Sequence, residues 1–409
     1  MNMTPTPFSL RNNAIDILRA FTMTLMVFVN DLWNVAYPKW MGHAGMTEDY
    51  FGLSDVVFPC FLFVVGMSIP YALENSFAKG KSGQQVAGHI LSRTLALLVM
   101  GVFLVNTEGG ISPEVGISAP IYKLLLVASF ILIWNTYQKT ENKKREYLHK
   151  GLKWLGIALL IFLGIIFLDK GGNMLRPKWW GILGLIGWTY LVCAFIYYFV
   201  RDRLKILIPI WGFFVLWCML RCNFIPTGHP ILNLPANHAL YAFAGAIHID
   251  TGAHCALTMG GVILSVADVK SRGWSGRKRG LTAAGVTIGL ILLGLASNQF
   301  WIVNKIQATI PWVFYSSAAA VGMYGLISWA TQYGKEGWFN IIKAAGTATL
   351  TCYMVPNIWY CLLSLLDIGT KRPEWCNSGI LGILTCVAFS LLCVWTTHLL
   401  GKLGMKLKV

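Results

Sequence analysis

NDLWNVAYPKWMGHAGMTEDYFGLSDVVFPCFLFVVG, residues 30–66, decides how the rest of the chain is read. A linker dense in Asn, Asp, His and Glu separates two apolar runs, and Asp55 stands immediately before the second run, Val56 to Ile69. Ionisable groups where a membrane helix meets water are costly to desolvate, and by default they suggest function. Asn30, Asp31 and Asp55 lie at the near ends of the two segments, with His43 between them. This corner is expected to hold the chemistry, and the other helices to shape a pocket around it.

The 409 residues are 56% hydrophobic and only 12% charged, whereas soluble domains carry about 25% charged residues. With a mean hydropathy of +0.59, the chain reads as an all-α polytopic membrane protein. A bilayer span needs about 20 apolar residues. Twelve candidate spans follow, near 14–36, 52–77, 89–106, 119–137, 152–168, 179–200, 204–220, 254–269, 281–297, 309–331, 346–366 and 379–401. The net charge of +16 comes with no nucleic-acid motif, so nucleic acid is not an expected partner. The lysines and arginines instead alternate between loops. Lys143, Lys144, Arg145 and Lys150, then Arg201, Arg203 and Lys205, then Lys270, Arg272, Arg277, Lys278 and Arg279 mark one side, while the other carries fewer: Lys39, then Lys170, Arg176 and Lys178, then Arg221, Lys305, and Lys371 with Arg372. Positive loops stay cytoplasmic. Both termini are therefore expected inside, and His43 and the long loop near 221–253 outside.

Met1 to Asn13 lacks the charged and apolar regions of a secretory signal, so the first apolar segment is expected to remain as a helix. The ten cysteines show no CxxC or Cys/His ligand spacing, and no metal is expected. Cys193, Cys218, Cys386 and Cys393 lie inside apolar runs and read as packing residues. Spacing neither demands nor excludes a disulfide among Cys222, Cys255 and Cys376.

Histidine is the side chain best suited to exchange protons near neutral pH. Asp55 or Asp31 could orient the His43 imidazole and stabilise its charged form. Asn30 offers an amide donor for a carbonyl oxygen or a sugar hydroxyl. These are the parts needed to deprotonate an amine or hydroxyl and move an acyl group onto it. The plainer reading is that Asp55 and Asn30 cap helices and His43 is a loop residue. Asp16 and Arg19, three apart on one helical face, form either an ion pair or a phosphate hook. Asn304 and Lys305 pose a similar choice. Lys305 either snorkels to the interface or reaches the same anionic ligand. The 221–253 loop carries His229, His238, His248 and Asp250. With His43 and His254, five of the eight histidines fall on the outer side.

At this point the residues resemble a family. Arg19-Ala20-Phe21 through Met26-Val27-Phe28-Val29-Asn30 resembles the first block of the heparan-α-glucosaminide N-acetyltransferases. His43-Ala44, then Gly52-Leu53-Ser54-Asp55-Val56-Val57-Phe58-Pro59 and Phe61-x-Phe63-x-x-Gly66, resembles their H-A…D-L-V-F-P block. His238-Ala239-Leu240-Tyr241, Asp250-Thr251-Gly252 and Val303-Asn304-Lys305 resemble later, weaker anchors. The departures are a longer spacing from His43 to Asp55, Gly45-Met46 in place of an aromatic, and Thr-Gly after Asp250. Between Gly181 and Tyr190 a Q-R pair of the family is also missing.

The resemblance implies one transmembrane acyltransferase domain over 1–409, a ten-helix core with an extra helix pair near 119–168. It implies transfer of an acetyl group from cytoplasmic acetyl-CoA to the amine of a terminal glucosamine across the membrane. His43 carries over as the active-site residue, with Asn30 and Asp55 beside it. Asp31, His238 and Asp250 are then expected on the acceptor, and Arg19, Asn304 and Lys305 on acetyl-CoA. A bacterial inner-membrane location fits best, and a homodimer is compatible with it. The competing expectations are a sugar or glycan transporter or flippase, and a non-catalytic glycan-binding relative. Against a transporter, no matched halves or paired broken helices are visible.

Overall fold

The computed structural model describes residue 8 and residues 12–138, 141–233, 235, 237–368, 373 and 376–409. Most of the polar start, Met1 to Asn13, lies outside them. The chain is helical nearly throughout. α1 spans Asn13–Asp31, α2 Leu53–Ala78, α3 Gly83–Glu108, α4 Ala119–Trp134, α5 Lys143–Ile166, α6 Ile182–Val200 and α7 Leu204–Arg221. A small hairpin, β1 Asn223–Phe224 with β2 His229–Pro230, precedes the short α8 Ala239–Ala246. Then come α9 Ala253–Lys270, α10 Gly276–Asn298, α11 Ile310–Gln332, α12 Lys343–Thr347, α13 Thr349–Leu365 and α14 Gly379–Lys402.

Each of the twelve expected apolar stretches forms a helix. Among the described residues ten are long and apolar enough to cross a membrane; α4 and α13, with 16 and 17 residues, are shorter. The protein is thus an all-α polytopic membrane protein. Several boundaries differ from expectation, α3 starting at Gly83 and α10 at Gly276 rather than near 89 and 281, and two of the differences have local reasons. α1 stops at Asp31 because Leu32–Asn34 tightens into a 3-10 turn. α5 starts at Lys143 because the Asn142 side chain accepts the Lys144 N–H at 3.0 Å and caps the helix.

The helices gather into two compact units. One comprises Met1–Thr22, Pro38–Thr94 and Leu185–Phe339, the other Met23–Tyr37, Leu95–Gly184 and Asn340–Val409. In the first unit α2 packs backbone to backbone on α9. A Cβ on Gly66 would lie 1.9 Å from the Thr258 carbonyl oxygen, and one on Gly261 1.9 Å from that of Phe63. Small residues allow such approach where lipid offers no hydrophobic drive between helices. Hydroxyls seal the seam: Ser265 Oγ donates to the Met67 carbonyl at 2.7 Å, and Thr258 Oγ1 to that of Leu62 at 3.4 Å. In the second unit α4 and α5 pack together, with Gly156 under Leu132 and Ile133, and Tyr122 donates to the Leu163 carbonyl at 2.7 Å.

Candidate active site

The site grows from the first turn of α2. Gly52 is the extended N-cap, and Asp55 is the third helical residue, where free backbone N–H groups favour a carboxylate. Asp55 Oδ2 accepts from the backbone N–H groups of Ala44 at 3.0 Å and Gly52 at 3.2 Å. Its Oδ1 lies 2.8 Å from His43 Nδ1. One carboxylate therefore caps the helix and orients the histidine, so both sequence alternatives for Asp55 hold together. The Asp55 side chain is 1% exposed and that of His43 47%. The imidazole is gripped from behind by a buried acid and turns its other edge to open space. A carboxylate at Nδ1 selects the Nδ1–H tautomer and leaves Nε2 with the lone pair. Glycine is required at 52, since a Cβ there would sit 2.1 Å from the Gly42 carbonyl oxygen.

The stretch 42–50 is fastened to residues 303–307, far away in sequence. Fully buried Asn304 gives its amide hydrogens to the carbonyls of Gly45 and Glu48, at 2.7 and 3.0 Å. Gln307 Nε2 donates to the Met46 carbonyl at 2.7 Å, and Asp49 Oδ1 accepts the Val303 N–H at 2.7 Å. Ser54 Oγ donates to the Met41 carbonyl at 2.5 Å, and Trp312 Nε1 to that of Asp55 at 2.9 Å. At the rim Lys39 pairs with Glu48. The Gly45 N–H and Lys39 hold the Glu48 carboxyl below its usual range, while Glu48 raises Lys39. Lys305 Nζ comes within 3.4 Å of His43 Nδ1. Desolvation pushes the Lys305 ammonium below the ordinary lysine range, and the Asp55 charge opposes that shift.

The residues expected on acetyl-CoA separate. Asn304 and Lys305 join His43, whereas Arg19 lies on another stretch, its guanidinium 3.0 Å from Asp16 and 2.7 Å from Ser68 Oγ. Asn30 is exposed in the last turn of α1, and Asp31 is buried and accepts from Tyr360 at 2.9 Å; both belong to the second unit. His238 caps α8, its Nδ1 accepting the Leu240 N–H at 3.2 Å. Asp250 has a φ of +51° and its carbonyl accepts from Trp217 Nε1 at 3.0 Å. His254 stands with its ring centroid 6.0 Å from those of both Phe58 and Trp312, one turn of α2 beyond Asp55. The sequence reading missed Trp312, Asp49 and Gln307. Trp312 is hidden in an apolar run, and the other two act only through long-range pairing.

Residues 11–134, which contain the His43–Asp55 pair, match the family model described as heparan-alpha-glucosaminide N-acetyltransferase, catalytic. Over this segment the chain resembles the heparan-α-glucosaminide N-acetyltransferases. The mouse enzyme of that name is 30% identical over 107 residues, 25% of this chain and 15% of the mouse protein. The human enzyme is 29% identical over the same length and shares. The aligned part is thus a small fraction of either curated relative. Of the residues singled out above, Arg19, Asn30, Asp31, His43 and Asp55 fall within the segment matched to the N-acetyltransferases. Asn304 and Lys305, which complete the His43 loop, fall outside it.

Proposed function

We propose that the chain is a membrane acetyltransferase that moves the acetyl group of acetyl-CoA to the amine of a glucosamine-type sugar. One observation carries this reading: a half-exposed imidazole tied through Nδ1 to a buried carboxylate, inside the segment shared with enzymes named for that reaction. His43 Nε2 takes a proton from the attacking amine, or itself attacks the thioester carbon to form an acetyl-imidazolium and expel the coenzyme thiolate; the amine then attacks that acetyl carbon, frees the imidazole and gives up its proton to the thiolate. In either route the ring becomes cationic, and Asp55 offsets that charge. The Lys305 ammonium supplies positive charge for the oxyanion that forms on the acetyl carbonyl. His238 and Asp250 belong to the acceptor side. Arg19 meets a coenzyme phosphate by exchanging its bond to Asp16 or Ser68. In this reading both termini are cytoplasmic in a bacterial inner membrane and His43 faces the periplasm.

The test is thiol release by purified protein from acetyl-CoA, with glucosamine and glucosamine-ended oligosaccharides as acceptors. Acceptor-dependent release is expected. No release, together with no thermal stabilisation by coenzyme A, sinks the proposal and favours a glycan carrier.

Two further outcomes are expected. Asn304→Ala leaves the Gly45 and Glu48 carbonyls without their donor, a loss of about 1–3 kcal/mol for buried groups. It should lower the melting temperature in detergent and the acetyl-transfer rate together. Lys305 gives a pH signature. Its folded-state pKa lies below the ordinary 10.5, so between the two values the unfolded chain binds more protons and stability rises with pH. The melting temperature of the native protein minus that of Lys305→Gln should therefore climb as pH rises towards 10.5. A flat difference refutes the desolvated lysine.

A further inference from the structure

At the end of α7 two thiols meet one carbonyl. Cys218 and Cys222 Sγ are 3.6 Å apart, and each lies 3.6 Å from the carbonyl oxygen of Ala308. Thr251 Oγ1 donates to the same oxygen at 3.3 Å. Ala308 is buried with a φ of +49°, a left-handed backbone that a residue with a Cβ adopts only under constraint. Its N–H donates to the Lys305 carbonyl at 3.1 Å, and the next residue, Thr309, donates to that of Asn304 at 3.2 Å. The two thiols therefore hold the far end of the turn that carries Lys305 to His43 and Asn304 to the 42–50 loop. Both cysteines are free thiols here. Positions i and i+4 at a helix end bring their Cα atoms within the roughly 4.4–6.8 Å span of a disulfide, and Cys222 is the extended residue just past the helix.

We propose that Cys218 and Cys222 are a reversible disulfide site whose oxidation frees the Ala308 carbonyl and loosens the Lys305 turn. This goes beyond the proposed reaction and does not depend on it. The oxidant is an external disulfide, from a small thiol compound or a thiol oxidoreductase. The less buried Cys222 sulfur attacks it, forming a mixed disulfide and expelling one thiol that leaves with the Cys222 proton. Cys218 then attacks the Cys222 sulfur and expels the second thiol with its own proton. The two S–H groups that faced Ala308 are gone, and its carbonyl keeps only Thr251.

The experiment treats the purified full chain in detergent with oxidised or reduced glutathione. Peptide mapping follows the 218–222 cross-link, and a soluble amine-reactive reagent reports labelling of Lys305. The expected result is a cross-link on oxidation, reversed by reductant, with Lys305 labelling rising about tenfold, as loss of two buried hydrogen bonds implies. The Cys218→Ser/Cys222→Ser variant keeps two donors and should stay at the reduced labelling level under both treatments. The Cys218→Ala/Cys222→Ala variant should label like the oxidised protein without oxidant. Thiols that resist the oxidant overturn the proposal. So does a cross-link that leaves Lys305 labelling unchanged.

Discussion

Replacing His43 by alanine is expected to lower acetyl transfer by about 10²–10⁴, the usual worth of a positioned general base, and to leave the melting temperature close to native. The reason lies in how the pair is built. His43 contributes a half-exposed ring, whereas Asp55 is buried and keeps two backbone N–H donors when the ring is removed. Asp55→Asn separates the roles further. With its oxygen in the Oδ2 place the amide can still accept both backbone N–H groups, but its NH₂ then faces His43 Nδ1 as a second donor and it cannot balance an imidazolium, so activity should fall and the variant should also melt earlier. Coenzyme A should still stabilise His43→Ala against heat, because the change removes a reacting group and no anchor. Native turnover by well-folded His43→Ala would exclude the imidazole from the reaction.

Gly261→Ala should prevent accumulation of folded protein. The added methyl would meet the Phe63 carbonyl oxygen at 1.9 Å and the Met67 nitrogen at 2.9 Å, both backbone atoms of α2. No rotamer can relieve a clash between Cβ and backbone. The two helices must part, and the bonds from Ser265 and Thr258 to α2 carbonyls part with them. Overpacking typically costs about 1–3 kcal/mol, occasionally more; here it falls on a seam held at two points, Gly66 and Gly261. Gly289→Ala on α10 is the control, because its Cβ would meet nothing within 4 Å. Fluorescence-detected size exclusion of tagged protein should give a sharp peak for Gly289→Ala and loss or aggregation for Gly261→Ala. A sharp, native-melting peak for Gly261→Ala contradicts the α2–α9 contact.

The helices were readable because lipid demands long apolar runs, and each of the twelve leaves that mark in composition. The local half of the site was readable too. His43 and Asp55 are twelve residues apart, and a carboxylate in the first turn of a helix is a local signature. The distant half was not. Asn304 and Lys305 looked like ligands for a phosphate, since a polar pair before a span carries no mark of its partner. The structure gives Asn304 to the His43 loop, because carbonyls turned inward at Gly45 and Glu48 need donors, and brings Lys305 Nζ within 3.4 Å of His43 Nδ1. Asp31 sits beside Asn30 in sequence, yet it is buried on Tyr360 while Asn30 is exposed. Successive helical residues point about 100° apart. The cysteines in apolar runs are buried as packing residues should be, Cys193, Cys218, Cys386 and Cys393 each at 0% exposure. Cys218 in an apolar run reads as filler, and only the turn at Ala308 shows what two thiols four residues apart can face.

Fastening the 42–50 loop through residues 303–307 has a consequence for biosynthesis. The imidazole and its acid leave the ribosome almost together, but Lys305 follows His43 by 262 positions. At about 5–20 residues per second, the nascent loop waits roughly 10–50 s for its clasp. A ribosome that stalls before codon 304 would leave a membrane-inserted precursor with the acid–histidine pair assembled and the loop unlatched, a species that conformation-sensitive proteases should cut between positions 42 and 50 and that release of the stall should protect.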